Sequence, residues 1–187
     1  MERLNVNPTR MMLTTLKRRL VTARRGHKLM KDKRDQLMKG FLELARENKR
    51  LREEVEQELS RVYESFSVAS AVMSQEVMEE ALMFPKQGVD LSVTGKNVMS
   101  VDVPQFSFET TAEDSSDIYP YGFASTSGEL DAAIAGLARA LPAMLDLAAK
   151  EKEAAMLAAE LEKTRRRVNA LEYVKIPQLE MTIKYIM

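Results

Sequence analysis

Few residues in this 187-residue sequence could do covalent or metal chemistry. There is one histidine, His27, and no cysteine, so neither a typical zinc site nor a thiol-histidine catalytic pair can form. A phosphate-binding P-loop is also absent, because Asp90 stands where its first glycine would be and Asn97 replaces the Ser or Thr after Lys96. Glu53 and its acidic neighbours belong to a predicted open helix without a pocket for acid-base catalysis. We therefore predict a chain that is not an enzyme and binds no cofactor.

Charge is distributed unevenly along the chain. The whole chain is neutral, with 28 basic and 28 acidic residues, which argues against a dedicated nucleic-acid binder. Residues 10–39 nevertheless hold eleven Lys or Arg and two Asp, a net charge of +9, whereas residues 43–80 hold ten Glu and five basic residues, a net charge of −5. The basic residues of the first block are Arg10, Lys17, Arg18, Arg19, Arg24, Arg25, Lys28, Lys31, Lys33, Arg34 and Lys39. A block of one sign predicts a negatively charged partner there.

The element that carries this block is a predicted coiled-coil helix. Its seam advances by alternating steps of three and four residues through Leu13, Leu16, Leu20, Ala23, His27, Met30, Arg34, Leu37, Phe41, Leu44, Asn48 and Leu51. This repeat of 3.5 residues predicts a left-handed supercoil around a partner helix. Thr9 can cap the helix, and no breaker follows before Pro85, so we expect one helix over residues 9–83. His27 lies in the seam, which favours a packing role over a catalytic one.

The middle of the chain predicts a β-hairpin. Apolar residues alternate with polar ones at Val89, Leu91 and Val93, and again at Val98, Val101 and Val103. Gly95-Lys96-Asn97 between the two runs is typical of a turn. Residues 105–125 show no sustained period, and we expect a loop there.

A second long helix is predicted from residue 127 onward. Thr126 and Glu129 have the spacing of a capping box. The apolar stripe that follows is Leu130, Ile134, Leu137, Leu141, Met144 and Ala148, then Leu157, Leu161, Thr164, Val168 and Leu171, then Leu179, Ile183 and Ile186. Pro142 and Pro177 lie inside this helix, where we expect a kink or bend. The most apolar stretch, residues 130–149, is interrupted by charged residues, so we expect no membrane span.

Together these elements predict a mainly α protein, a long antiparallel two-helix coiled coil of left-handed twist with a small β-hairpin between its arms. The segments are residues 1–83 for the first helix, 84–126 for the hairpin and loop, and 127–187 for the second helix, all within one elongated domain. If Met83 lies level with Ser127, Met187 lies near residue 23. Residues 9–22 would then expose an apolar stripe without an intrachain partner.

Three separated motifs resemble the D subunit of the V/A-type rotary ATPases. They are NVNPTRM at residues 5–11, RGHKLMKDKRD at residues 25–35, and TRRRVNALE at residues 164–172 followed by Ile176-Pro177. The resemblance covers both helical arms and the hairpin. It implies a central, non-catalytic rotor shaft that couples ATP hydrolysis or synthesis in a catalytic ring to rotation and ion transport across a membrane.

The resemblance also implies partners and a location. The partners would be the A and B ring subunits, the small F subunit of the central stalk and a membrane-side socket subunit, with the chain cytoplasmic, peripheral to the membrane and not inserted in it. Residues assigned to the ring interface are Arg10, Lys17, Arg18, Arg19, Arg24, Arg25, Lys28, Lys31, Lys33, Arg165, Arg166 and Arg167. Hairpin residues assigned to regulation or partner contact are Val89, Leu91, Val93, Val98, Val101 and Val103. Family members continue beyond Met187 with a charged helical stretch, so we expect a shortened C terminus.

Two other interpretations of the same pattern remain. A prefoldin-like holdase chaperone also joins two helices through a β-hairpin, but a block of +9 suits an anionic socket better than apolar clients. A basic coiled-coil nucleic-acid-binding protein would also place basic residues before heptads. Against it, the apolar seam runs through the basic block at Leu13, Leu16 and Leu20, where a groove-reading helix would not need it.

Overall fold

The computed structural model describes residues 3–110, 118–122, 124 and 126–187. Its helices are α1 (Arg10–Val72), α2 (Gln75–Leu82), α3 (Gly128–Asn169) and α4 (Ile176–Ile186), with a π-helical segment (Ala170–Lys175) between α3 and α4. Its strands are β1 (Val89–Val98) and β2 (Val101–Thr110). The predicted mainly helical class, with an antiparallel hairpin between helical arms, is confirmed.

The chain forms two compact units, and each contains part of α1 and part of the second helical arm, with α2 and the hairpin in the middle unit. The terminal unit comprises Met1–Glu43 and Ala155–Met187, and the middle unit comprises Leu44–Ala154. In the terminal unit Leu16 is fully buried and packs with Leu179 and Ile183. In the middle unit Ala69, Ala81 and Leu130 form a second buried cluster. All twelve predicted seam positions from Leu13 to Leu51 are buried or partly buried, as the 3.5-residue repeat requires.

The predicted register between the two helices is wrong. α1 ends at Val72 because Ser74 starts a separate helix, its side-chain oxygen accepting a hydrogen bond from the backbone N–H of Val77. The expected single helix over residues 9–83 is therefore divided, and the long helix ends at Val72 instead of Met83. Residues 9–22 accordingly have an intrachain partner, since Leu16 packs with Leu179 and Ile183.

Helix starts follow local capping chemistry. Thr9 caps α1 as predicted, because its hydroxyl oxygen accepts from the backbone N–H of Met12 at 3.2 Å. The start of α3 differs from the prediction: Ser127, not Thr126, accepts from the N–H of Leu130, while the Thr126 hydroxyl donates to the carbonyl of Gly122. The reason is that α3 begins at Gly128, which leaves Ser127 in the capping position.

The hairpin forms, but its turn lies later than predicted. β1 continues through Gly95-Lys96-Asn97, which pair with Pro104, Val103 and Asp102. The turn is Met99-Ser100. Both residues have positive φ angles, 51° and 69°, as a two-residue type I′ hairpin turn requires. Asn97 supports it by accepting from the N–H of Ser100 and donating to Asp102. Part of the predicted loop, residues 105–110, is strand, and residues 111–117, 123 and 125 lie outside the described part.

The two prolines affect the helices differently. Pro142 lies inside α3 without ending it. Pro177 is near the start of α4 and follows the six-residue π-helical segment. Proline lacks the N–H that would bond the carbonyl four residues earlier, and a wider helical turn is one way to accommodate that loss.

Candidate functional site

Some cations of the basic block hold the terminal unit together. Arg24 donates to Glu180 at 2.7 Å, and the Lys33 ammonium lies 3.4 Å from Glu160. His27 lies 3.3 Å from Glu172 across the same helix pair, so its seam position serves an interhelical contact. From Arg24 through His27 to Lys33 on α1, the partners on the second helix run backward from Glu180 through Glu172 to Glu160. These contacts therefore fix the antiparallel alignment of the two helices.

The remaining cations form an exposed surface, which we call the basic stripe. Arg34 pairs with Asp35, so three of the eleven basic residues of the block are engaged in ion pairs within the described chain and eight are not. The eight are Arg10, Lys17, Arg18, Arg19, Arg25, Lys28, Lys31 and Lys39, and all are exposed. The seam occupies the first and fourth positions of each heptad. Six of the eight basic residues occupy the fifth and sixth positions, directly after the second seam residue. The free charge is therefore concentrated on one side of α1.

The three consecutive arginines of α3 lie beside this region of α1. Along the second helix they fall between Glu160, which meets Lys33, and Glu172, which meets His27. Arg166 bonds to Glu162 one turn earlier and thereby lowers the pKa of that carboxyl. Arg165 and Arg167 are exposed, so two of the three add to the free positive charge.

Polar contacts fix the alignment of the middle unit as well. The Lys150 ammonium bonds to Glu47, which lowers the pKa of Glu47 and raises that of Lys150. The partly buried Asn48 amide donates to the carbonyl of Lys150 at 3.3 Å, and Arg52 pairs with Glu151. A seam asparagine with one defined partner favours a single helix register over its neighbours.

A groove in the middle unit departs from the predicted core. Between residues 133 and 140 the buried residues of α3 are small, namely Ala133, Gly136 and Ala140. An added Cβ on Gly136 would lie 2.8 Å from Cγ2 of Val62, which shows how closely the two helices approach. The predicted stripe is wrong at Leu137, which is 48% exposed, and at Ala148, which is also exposed. The small residue at position 136 permits the contact, whereas Leu137 is directed away from it.

Leu137 and other large apolar residues line a cavity of about 320 Å³, which we call the apolar groove. Its lining is almost entirely apolar: Leu82, Pro85, Lys86, Gln87, Val89, Ile118, Pro120, Ile134, Leu137, Ala138, Leu141 and Met144. Tyr121, next to Pro120, donates to Asp131 at 2.8 Å, and burial together with this bond raises the pKa of its hydroxyl. An open apolar groove of this kind is typical of a surface that receives another molecule.

The hairpin residues assigned to partner contact divide into two groups. Val89, Leu91 and Val93 of β1 are exposed, whereas Val101 and Val103 of β2 are buried and Val98 is partly buried. Among the six, Val89, Leu91 and Val93 are therefore the ones that can meet a partner without rearrangement. The sequence could not separate the groups, because both alternate apolar with polar residues.

Metal-ligating clusters and membrane-spanning helices are two further features to which a function could be attached. Across the described ranges no group of three or more His, Cys, Asp or Glu is placed to hold a metal ion. By length and composition alone, the continuous helix Gly128–Ile186 is apolar enough to cross a membrane, a test that the core helix of a soluble protein also passes. Within its most apolar 18-residue window, 17% is buried in the described structure.

Comparison with known proteins gives a consistent family. Residues 12–187 match the family model described as the D subunit of ATP synthase. The V-type ATP synthase D subunit of Acetivibrio thermocellus is 63% identical over 183 residues, 98% of this chain and 82% of the relative. The protein of the same name from Clostridioides difficile is 60% identical over 186 residues, 100% of this chain and 83% of the relative, and that of Clostridium novyi is 56% identical over 187 residues, 100% and 87%.

These matches include the motifs on which the resemblance was based. The family model spans the second and third motifs, at residues 25–35 and 164–172. The match to the Clostridium novyi protein covers all 187 residues and so includes the first motif, at residues 5–11, as well. The chain belongs to the family of ATP synthase D subunits, as a structural subunit of the V-type complex and not a catalytic one.

Proposed function

We propose that the chain is the central rotor shaft of a V/A-type ATPase on the cytoplasmic side of the membrane. It would couple ATP hydrolysis or synthesis in a ring of A and B subunits to rotation and ion transport. The small F subunit and a membrane-side socket subunit would connect it to the membrane part of the rotor. The basis is membership of the D-subunit family together with the two surfaces described above.

The one-sided basic stripe is the observation that carries this proposal. A shaft with charge spread evenly around it would interact with a surrounding ring equally at every angle. Free cations on one side make the interaction energy depend on angle, which is the condition for ring states to select successive orientations. At about 0.2–1 kcal/mol for each exposed ion pair, several such pairs give an angular preference of a few kcal/mol.

The apolar groove supports the proposal in a different way. A shaft must also bind the stalk subunits that rotate with it, and this attachment must persist through every angle. Apolar contact suits such a lasting interface, because its energy does not depend on which ring state is present. We assign the groove to a stalk partner and the basic stripe to the ring.

The test of the ring contact reverses charges that have no structural role. Arg18, Arg25 and Lys39 share one heptad position and have no ion pair within the described chain. The variant R18E/R25E/K39E is reconstituted with purified A and B subunits, and binding and ATP turnover are measured. We expect binding at least about tenfold weaker, since three attractive contacts become repulsive. Assembly and turnover equal to those of the unsubstituted chain would refute the assignment.

A control variant carries the same charge change in the middle unit. K49E/R50E/R61E alters three exposed basic residues, each paired only with a nearby glutamate on the same helix. It should bind the ring normally, while far-UV circular dichroism confirms that both variants remain helical. Equal loss in both variants would mean that net charge, and not the stripe, governs binding.

The groove assignment is tested separately with L137D. Leu137 is already 48% exposed, so the substitution should leave the fold intact while placing a charge in the groove. In a pull-down we expect loss of binding to the F subunit or to the socket, with the ring contact unchanged. Retention of both stalk partners would contradict the assignment of the groove.

A further inference from the structure

One strand of the hairpin is almost wholly uncovered. Nine of the ten residues of β1 are exposed, and Val98 alone is partly buried. In the part of the chain that the structure describes, the sheet has two strands, so the outer edge of β1 is not paired with another strand there. A free edge presents unpaired N–H and C=O groups that can bond another strand.

The register identifies which backbone groups point outward. Val98 and Val101 flank the two-residue turn, so they form a hydrogen-bonded pair, and such pairs recur at every second position. Gly95 and Pro104 therefore form a pair without mutual hydrogen bonds, which fits proline because it has no N–H to donate. On β1 the odd-numbered residues from 89 to 97 direct their N–H and C=O groups outward. The matching row on β2 is interrupted by Pro104.

We propose that two copies of the unassembled chain pair through their β1 edges, antiparallel and with a two-fold axis at Val93. In this register Asp90 of one copy lies opposite Lys96 of the other, and the symmetry repeats the pair. Both residues are exposed, and neither has an ion pair within the described residues. The strand is thus complementary in charge to itself.

The charge pattern selects this register over its neighbours. The strand can shift only by two residues at a time if outward groups are to meet outward groups. A shift in one direction places Asp90 opposite Thr94, and a shift in the other places it opposite Val98, so both ion pairs are lost. In the chosen register Asp90 and Lys96 form a pair without mutual hydrogen bonds, the type in which opposing side chains approach most closely.

The apolar face of the hairpin would also gain from pairing. Leu91 faces Phe108 and Val93 faces Phe106, all on one face of the sheet, and Val93 is 59% exposed. Two hairpins joined at β1 form a four-stranded sheet with one continuous apolar face. Two-stranded hairpins are marginal in water, and additional strands stabilise them. The dimer is a property of the free chain and does not depend on the rotor function proposed above.

The first test compares matched proline substitutions. Val93 and Phe106 are directly opposite each other in a pair without mutual hydrogen bonds, so V93P and F106P each remove an outward N–H and no bond of the hairpin itself. Sedimentation velocity of the full chain over a concentration series should show a dimer for the unsubstituted chain and for F106P, and a monomer for V93P. A monomeric unsubstituted chain, or dimers in all three, would overturn the proposal.

The second test uses charge reversal, and rescue of association by mixing shows that the weakened variants are folded. D90K alone and K96D alone each create two repulsive contacts across the axis, so each should dimerise at least about tenfold more weakly. Mixing the two variants should restore association, because every position then faces an opposite charge. The double variant D90K/K96D should also dimerise. If the mixture stays monomeric, or either single variant dimerises normally, the register is refuted.

Discussion

Replacing Gly136 with alanine tests how closely α1 and α3 approach in the middle unit. The added Cβ would lie 2.8 Å from Cγ2 of Val62, well inside an ordinary carbon-carbon contact of about 3.5–4.0 Å. Val62 is β-branched, and its restricted χ1 angle cannot easily move the methyl aside. Overpacking of this kind costs about 1–3 kcal/mol, while alanine gains about 1 kcal/mol over glycine in a helix. We expect G136A to lower the free energy of unfolding by about 0–2 kcal/mol.

The same substitution should have the opposite sign when Val62 is shortened. In the V62A background the clashing methyl is gone, so G136A should raise the free energy of unfolding by about 1 kcal/mol through helix propensity alone. The two substitutions should therefore show a coupling energy of about 1–3 kcal/mol in a double-mutant cycle. Urea unfolding followed by circular dichroism at 222 nm measures all four proteins. Equal effects of G136A in both backgrounds would refute the close approach of the helices.

Three further predictions concern the core, the partly buried hydroxyl of Tyr121 and the turn. L16A should cost about 2–5 kcal/mol in urea unfolding because Leu16 is 0% exposed, whereas M11A, at an 81% exposed site, should change little; similar effects would contradict the packing of the terminal unit. The pKa of Tyr121 is raised in the folded chain. The contribution of Tyr121 to the free energy of unfolding should therefore be complete below the ordinary pKa of 10.0 and decline as the pH rises above that value. Y121F should remove that part of the decline and Y63F should not, as unfolding midpoints measured between pH 8 and pH 11 would show. S100G should relieve the φ angle of 69° and increase hydrogen-exchange protection of the hairpin amides by about fivefold, and no gain would mean that the turn is unstrained.

Elements governed by local pattern could be predicted from the sequence. The seam from Leu13 to Leu51 follows from heptad spacing, and the buried or partly buried state of every position agrees with it. The first half of β1 and the start of β2 follow from alternation of apolar and polar residues, whereas residues 105–110 of β2 were predicted as loop. In both cases the determining interactions are repeated many times, so one irregular position changes little.

The register could not be predicted because it depends on one short signal. Ser74 begins α2 through a single capping bond, and the apolar stripe gives no sign of the break. Turn chemistry was equally ambiguous, since Gly95-Lys96-Asn97 suits a turn better than Met99-Ser100. Pairing of ten residues on each strand outweighs the local preference at two positions.

The proposed interaction surfaces were only partly accessible to sequence reasoning. The basic block is visible from composition, but which cations are free depends on the helix register, which pairs Arg24 with Glu180 and Lys33 with Glu160. The apolar groove could not be predicted, because a helix with apolar residues on two faces does not reveal which face meets the neighbouring helix. The contact between Gly136 and Val62 shows which face of α3 meets α1.

The π-helical segment Ala170–Lys175 also restricts how this part of the chain can change in evolution. Each residue turns an α-helix by about 100°, so losing one residue here would rotate everything that follows by a similar angle. Leu179 and Ile183 would then turn away from Leu16, and their polar neighbours would replace them in the core. Insertions and deletions in related sequences should therefore be rare at residues 170–175. They should be more frequent in segments that are not followed by a helix whose buried face must keep its orientation.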